Sequence, residues 1–310
     1  MADALIALRF LHFAAAMASF GVAAFRLYAF AGETASANAA RATFDRRLAR
    51  LTLASAVLTL VSALAIAPCI AGSMAGSVSA GFEPRVLEAA LFGTDFGHAW
   101  CPHLLLAVLL VALSALPERH EFAGATTAMA LLVLASLGWV GHAAMEQGLE
   151  GIAHRLNQAV HLAAGGIWLG GLLPLGLLLR RATGPGGAAF EPLARAALPH
   201  FSQMGYIAVA LVALTGMVNT VLLVGSFDGL VATPYGRLLL VKLALVAAMV
   251  ALALGNRFRL LPLLREAADA VPPLRALWRS VAAEQALGLA ILAVVAVLGT
   301  WPPAIAALTH

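Results

Sequence analysis

Long apolar runs separated by short polar stretches make up the chain from its first residues to its last. A helix needs roughly 20 predominantly apolar residues to cross the ~30 Å hydrocarbon core of a bilayer. By that measure the pattern predicts about eight transmembrane helices. They lie at residues 4–29, 50–72, 98–116, 123–145, 154–179, 200–225, 235–255 and 280–301. We therefore predict an all-α polytopic membrane protein whose helices form a single domain over residues 1–310.

Two details of the pattern refine this prediction. The apolar stretch from Leu5 is too long for a cleavable signal peptide and lacks a basic segment before it, so we expect a retained first helix. Within the loop 73–97, the run PRVLEAALF at Pro84–Phe92 predicts a short helix at the membrane surface, with its proline near the helix start.

Composition supports a membrane environment. The chain is 62% hydrophobic and 11% charged, whereas a soluble domain has about 25% charged residues. A lipid bilayer accommodates this much apolar surface because hydrocarbon is itself apolar. The formal net charge of +4 arises from basic residues in short loops between spans, so it does not indicate nucleic-acid binding.

Arginines are concentrated on one side of the predicted bundle. The loops after the first, third, fifth and seventh spans carry Arg41, Arg46, Arg47, Arg50, Arg119, Arg180, Arg181, Arg195, Arg257, Arg259, Arg265, Arg275 and Arg279. The opposite loops carry Arg85, Arg155 and Arg237. Because cytoplasmic loops hold the excess of Lys and Arg, we predict that both termini lie outside, which is the periplasm in a Gram-negative cell.

Most of the nine histidines map to the outer half of the bundle. At a rise of ~1.5 Å per residue, four of them lie about 5 to 12 Å below the outer ends of their spans. These four are His12, His103, His142 and His161, on four different predicted helices. A common depth is required for a shared metal site, although the sequence does not show which helices are neighbours.

Further metal-binding side chains lie on the same side. His98 and Cys101 belong to the run HAWCPH, Met145 follows closely after His142, and His154 begins the fifth span. Histidine, methionine and cysteine are ligands that suit copper, and sulfur ligands favour Cu(I). The pattern therefore indicates a copper site, with Cu(I) and Cu(II) both open.

The fifth span has a polar stripe. His154, Gln158, His161, Gly165 and Trp168 recur at helical spacing on one face. Polar groups are unfavourable in lipid, so this face should turn toward the bundle interior or a wet cavity.

Two neighbouring features add polar candidates inside the membrane. On the sixth span, Thr215 and Asn219 form a second small polar stripe, and Asn219 is a candidate to support a ligand. Lys242 lies inside the seventh span and is a functional candidate because intramembrane charges are rare. Gly166 and Gly170 form a GxxxG motif that permits close approach of another helix.

Simpler explanations exist for each residue. A histidine in a membrane helix often donates a hydrogen bond to a neighbouring helix, and interfacial polar residues such as His98 and His154 are ordinary. Cys69 and Cys101 fit inert packing, which we favour, and a periplasmic disulfide or metal ligation are the alternatives.

Four ordered motifs resemble the CopD/PcoD family of copper-resistance membrane proteins. They are HLAAGGIWLGGLLPL at His161–Leu175, FSQMGYIAVALVALTGMVNT at Phe201–Thr220, YGRLLLVKLALVAAMVALALGNR at Tyr235–Arg257 and AAEQALGLAILAVVAVLGTWPP at Ala282–Pro303. The opening ALRFLHFAAAM and the run TDFGHAW at Thr94–Trp100 are also similar to that family. The resemblance covers nearly the whole chain.

The resemblance implies a bacterial inner-membrane protein of copper homeostasis that moves copper across the membrane and works with the periplasmic copper carrier CopC. Copper would pass from His98, Cys101 and His154 near the mouth to the deeper histidines. We expect uptake to weaken at low pH, because neutral imidazoles bind metal. The alternative is a b-type haem electron-transfer protein, with His12 or His142 opposite His161 as axial ligands. The sequence shows no nucleophile or general-base constellation, so we do not expect an enzyme.

Overall fold

In a computed structural model, residues 2–30, 39–116, 120–141 and 148–308 are described, and within them the chain is helical with no strand. The longer helices are α1 (Ala2–Tyr28), α2 (Ala39–Met74), α4 (Asp95–Ala115), α5 (His120–Ser136), α6 (Gly148–Gly165), α7 (Gly171–Ala182), α8 (Glu191–Val224), α10 (Pro234–Gly255) and α12 (Val271–Leu298). The shorter ones are α3 (Pro84–Phe92), α9 (Phe227–Ala232), α11 (Leu261–Glu266) and α13 (Ala304–Leu308).

The all-α membrane architecture is confirmed. In the described part of the chain, 8 helical runs are long and apolar enough to cross a membrane. The fifth predicted span corresponds to the continuous run Gly148–Ala182, which contains α6 and α7, and the seventh to Pro234–Glu266, which contains α10 and α11. The predicted end of the fourth span at residue 145 lies outside the described residues, and the helical part of that span ends at Trp139. A single domain over the whole chain stays a prediction.

Helices extend beyond their apolar cores on the arginine-rich side. Helix α2 starts at Ala39, although its apolar stretch begins near residue 50. Arg41 forms an ion pair with Asp45 one turn on, with 2.7 Å between Nε and Oδ2, and its guanidinium lies 3.8 Å from the centre of the Phe30 ring. Hydropathy predicts where a helix enters lipid. Contacts such as these stabilise the helix beyond that point, in the polar segment before residue 50.

Two helices widen into a π-helical turn beside a proline. Residues Gly166–Gly170 form a π segment between α6 and α7, and Asn256–Leu260 form one between α10 and α11. Pro174 and Pro262 follow within four residues of these segments. Proline cannot donate to the carbonyl four residues back and its ring crowds that carbonyl, and a π turn is one way for a helix to accommodate this.

Local sequence signals set several helix starts. Thr94 accepts a hydrogen bond from the Gly97 amide at the start of α4, and Thr233 accepts one from the Gly236 amide at the start of α10. Such hydroxyl caps satisfy amides that have no partner within the helix. The short helix α3 occupies Pro84–Phe92, as predicted.

Helix α1 is central to the packing. It joins one buried cluster with α2, α4, α5 and α6 through residues such as Met17 and Phe20. Its second half joins another cluster with α7, α8, α10 and α12 through Val22 and Phe25. This arrangement places the N-terminal half of α1, which carries His12, against α2 and α4.

Candidate metal centre

Two of the predicted histidines meet inside the bundle. His12 of α1 and His103 of α4 have ring centroids 5.0 Å apart, with the rings inclined at 68°. Their exposed fractions are 1% and 0%. Helices α1 and α4 therefore bring together residues that are far apart in the sequence.

Each imidazole is held by a serine of another helix. His12 Nδ1 lies 2.9 Å from Ser62 Oγ of α2, and His103 Nδ1 lies 2.8 Å from Ser136 Oγ of α5. Both hydroxyls donate their own proton to backbone carbonyls of their helices, at 2.7 Å to Leu58 for Ser62 and at 2.8 Å for Ser136. A hydroxyl has one proton, so each serine accepts the histidine Nδ1–H.

This arrangement favours the tautomer with the proton on Nδ1 in both rings. With the proton on Nδ1, the lone pair is on Nε2. The Nε2 atoms of His12 and His103 are both buried and have no hydrogen-bond partner in the described part of the chain. Metal-binding histidines commonly donate their second ring nitrogen to such a partner, which orients the ring for the metal.

Trp100 closes one side of the pair. Its ring stacks on His103 with centroids 4.8 Å apart and lies 5.6 Å from His12. Its indole N–H donates to the Ala63 carbonyl at 3.2 Å, and the Phe96 ring stacks against it with centroids 5.3 Å apart. The two histidines thus sit in a largely apolar, aromatic-walled environment.

His161 occupies a separate polar cluster between α6 and α8. Its Nδ1 lies 2.8 Å from Thr215 Oγ1, which in turn donates to the Leu211 carbonyl at 2.5 Å. The same reasoning favours a proton on Nδ1 of His161. Lys242 of α10 is close enough for its charge to interact with His161.

Side-chain amides of α6 and α8 form a chain of hydrogen bonds next to His161. Asn157 donates to Asn219 Oδ1 at 2.8 Å and to the Thr215 carbonyl at 3.1 Å. Asn219 donates to Gln158 Oε1 at 2.8 Å. Asn219 therefore supports the helix pair α6–α8, and Thr215 is the residue that contacts the histidine.

The remaining candidates are placed individually. His98 is exposed in the first turn of α4, and His154 is buried on α6. Cys101 is half-buried with its sulfur 3.7 Å from the Leu91 carbonyl, and both cysteines are free thiols. Trp168 is buried in the π segment between α6 and α7. His142 and Met145 lie outside the described residues.

The structure brings His12 and His103 together, while His161 contacts the α6–α8 cluster instead. Within the described ranges, no three histidine, cysteine or carboxylate side chains are grouped as a metal site. The metal-ligand assignments of the sequence stay predictions.

Sequence reasoning missed Ser62, Ser136 and Trp100. Serine in a membrane helix is common at helix contacts, so nothing in the sequence distinguished these two from other serines. Trp100 was present in the run TDFGHAW, which resembled a family motif, but its position next to the histidines required the packing of α1 against α4.

The eight candidate spans and the buried histidine pair define a helical integral membrane protein with a candidate metal centre. Two family models match the chain: copper resistance protein D-like, N-terminal domain, over residues 1–152, and copper resistance protein D over residues 195–298. The chain belongs to the copper resistance protein D family, and this confirms the resemblance seen in the motifs.

Curated relatives agree with this assignment. The chain is 33% identical to inner membrane protein YebZ of Escherichia coli (strain K12) over 96% of this chain and 98% of the relative. It is 32% identical to copper resistance protein D of Pseudomonas syringae pv. tomato, over 96% of each chain. Copper transport protein CutJ of Bacillus subtilis (strain 168) is 32% identical over 73% of this chain and 40% of CutJ.

No solved structure matches the chain. The relatives and the candidate spans together make this a multi-pass protein of the bacterial inner membrane.

Proposed function

We propose that this protein binds copper between His12 and His103 and carries it across the inner membrane. The observation that carries the proposal is the pair of bare Nε2 atoms in adjacent, buried rings. Buried polar atoms are nearly always satisfied, and a metal ion satisfies two lone pairs at once. Serine partners on both Nδ1 atoms orient the rings for that purpose.

The choice of copper rests on chemistry and on the relatives. Imidazole binds copper as well as zinc, iron and nickel, so the ligands alone leave several metals. The names of two relatives, copper resistance protein D and copper transport protein CutJ, favour copper among them.

The proposed route starts on the side that carries the histidines. A CopC-like carrier would deliver copper at the periplasmic face, where His98 is exposed at the start of α4. Cys101 and His154 would take it further, and His12 with His103 would form the deepest station. The exposure of His98 and the burial of the pair support this order.

The test is copper binding by detergent-purified full-length protein. We expect the double variant His12→Gln/His103→Gln to lose the bound copper, because both nitrogen donors are removed. The control is His200→Gln, since His200 contacts the Ala29 carbonyl away from the pair. Elemental analysis, an optical spectrum and copper uptake by vesicles are measured for each protein.

Unchanged copper content in the double variant would overturn the proposed site. Loss of copper in the control to the same extent would show a non-specific effect of removing histidines. If copper binding is lost but vesicle uptake matches that of the unsubstituted protein, the pair is not on the transport route.

The haem alternative receives no support from this geometry. The rings of His12 and His103 contact each other directly, with Trp100 beside both, whereas two axial ligands lie on opposite faces of a haem. His161 lies beside Thr215 of α8, and His142 lies outside the described residues. A Soret band with bound iron in the same optical spectrum would reopen this alternative. We assign the protein no enzymatic role.

A further inference from the structure

A carboxylate is buried in the arginine-rich half of the bundle, away from the histidine pair. Glu284 of α12 is 2% exposed and lies within the apolar part of a candidate span. Ionisable residues inside a membrane are rare and usually functional. Nothing in the proposed copper site uses this residue.

Glu284 has an amide partner on the π segment that follows α10. Asn256 Nδ2 donates to Glu284 Oε1 at 2.6 Å. The other atom of that amide, Asn256 Oδ1, is buried and has no hydrogen-bond partner among the residues that the structure describes. Asn256 Oδ1 is therefore a buried acceptor without a donor among the described residues.

A proton on Glu284 would remove this mismatch. A carboxylate is an acceptor only, whereas a carboxylic acid has one O–H to donate. A neutral carboxylic acid and a primary amide are complementary, because each offers one donor and one acceptor to the other. The existing bond between Asn256 and Glu284 is half of such a pairing.

No basic side chain neutralises Glu284 in the described ranges. The ion pairs found there, Arg41–Asp45 and Arg195–Glu191, each join residues of one helix. Arg257 lies next to Asn256, but its guanidinium donates to Ser202 Oγ at 3.0 Å and lies 5.2 Å from the centre of the Tyr206 ring. An unpaired buried carboxylate is strongly unfavourable, which favours a bound proton.

A cavity connects with this pair. It has a volume of about 90 Å³ and lies between α7, α8, α10 and α12, with Glu284, Asn256, Arg257, Ser202 and Tyr206 as its polar lining. A water molecule needs about 10–15 Å³ of such space, so the cavity has room for several. Water here could deliver and remove protons.

The other ionisable groups around Glu284 are few. Arg257, from the turn after α10, and Tyr206, from α8, share the cavity lining with it, while α7 and α11 contribute the apolar Leu175 and Leu261. Helix α1 also packs against α12, but no residue of α1 lines the cavity. Lys242 of α10 does not line the cavity.

We propose that Glu284 and Asn256 form a proton-binding site of the arginine-rich half, which exchanges protons through the cavity. The carboxylate takes a proton from water in the cavity, becomes a neutral acid and donates its O–H to Asn256 Oδ1. Release returns the proton to that water. This proposal goes beyond copper binding and does not depend on it.

Infrared difference spectroscopy of the full-length protein in lipid vesicles tests the proposal. Spectra at acidic and alkaline pH should show the C=O stretch of a protonated, hydrogen-bonded carboxylic acid. The Glu284→Gln variant should lose this band. Glutamine has nearly the same size as glutamate and can still accept the hydrogen bond from Asn256. Asn256→Leu should shift the band, because the hydrogen bonds to the acid are lost. The matched control is Glu191→Gln, whose carboxylate is half-exposed and paired with Arg195.

An identical acid band in Glu284→Gln and in the unsubstituted protein would overturn the proposal. So would a carboxylate signal that responds to sodium ions rather than to pH, since it would indicate a metal-cation site. Loss of the band in the control as well would show a global change, and circular dichroism with a thermal melt of each variant identifies that case. The infrared samples contain no copper, so the outcome does not depend on whether the histidine pair binds copper.

Discussion

Single serine residues orient the rings of His12 and His103. Ser62 and Ser136 each accept the Nδ1–H of a histidine while donating to their own helix backbone. The Nε2 atoms of both rings are buried and have no hydrogen-bond partner in the described part of the chain. The side chains of His12 and His103 were predicted as candidates, but the tautomer depends on neighbours from other helices.

Removing these serines should weaken copper binding without abolishing it. Ser62→Ala and Ser136→Ala should each reduce copper affinity by about 10- to 100-fold, the usual effect of losing a partner that orients a metal-binding histidine. Copper stoichiometry at saturation should stay unchanged, because both imidazoles remain. Competition with a chromophoric copper chelator measures the affinity.

The control for the serine variants is Ser114→Ala. The hydroxyl of Ser114 on α4 is buried and has no hydrogen-bond partner in the residues described. Its removal should leave copper affinity unchanged. Equal affinity in Ser62→Ala and the unsubstituted protein would show that the serine does not orient a copper-binding histidine.

At the scale of helices, close contact between α1 and the π segment holds the centre of the bundle together. Gly21 of α1 and Gly170 of the π segment approach so closely that a Cβ on either would overlap the other's backbone, and a Cβ on Gly170 would also meet the Met17 carbonyl. The GxxxG motif predicted such an approach, but its partner helix was not predictable. Pro174 follows this widened turn within α7.

Gly170→Ala should therefore destabilise the bundle. The added methyl group meets backbone atoms, which cannot rotate away, and overpacking of this kind costs about 1–3 kcal/mol. The melting temperature in detergent should fall. Gly124→Ala on α5 is the control, because a Cβ there has nothing within 4 Å, and alanine favours a helix by roughly 0.5–1 kcal/mol.

A melting temperature of Gly170→Ala equal to that of the unsubstituted protein would contradict this packing. The two variants differ from each other only in where one methyl group is added. Their comparison therefore separates helix propensity from the contact between α1 and the π segment.

At the scale of the whole molecule, the orientation in the membrane stays a prediction from arginine distribution. The excess of arginines on one side predicts a cytoplasmic location for that side and outside termini. The histidine pair would then face the periplasmic half, and Glu284 the cytoplasmic half. The side of the membrane assigned to each site depends on this orientation, whereas the chemistry proposed for each site does not.

Cysteine labelling in intact spheroplasts measures the orientation. In a background with Cys69 and Cys101 replaced by serine, Asp3→Cys should react with an impermeant maleimide before permeabilisation. Arg46→Cys, at an exposed position of α2, should react only afterwards. The opposite order would mean that the termini are cytoplasmic and that the copper route runs the other way.

The sequence by itself determined the membrane class, the approximate spans, the short helix at Pro84–Phe92 and the family. These properties follow from hydropathy, turn residues and motifs, which are read along the chain. The boundaries of α2 and α8 were less accurate, because their polar ends are helical outside the apolar cores.

The tertiary structure alone decided which predicted residues meet. Four histidines at similar depth were candidates for one site, yet His12 and His103 face each other while His161 faces Thr215. Depth depends on position along a helix, but contact depends on which helices are neighbours and how each is rotated. For the same reason the sequence did not predict the hydrogen bond between Glu284 and Asn256. The two residues belong to different helical segments that come together only in the folded bundle.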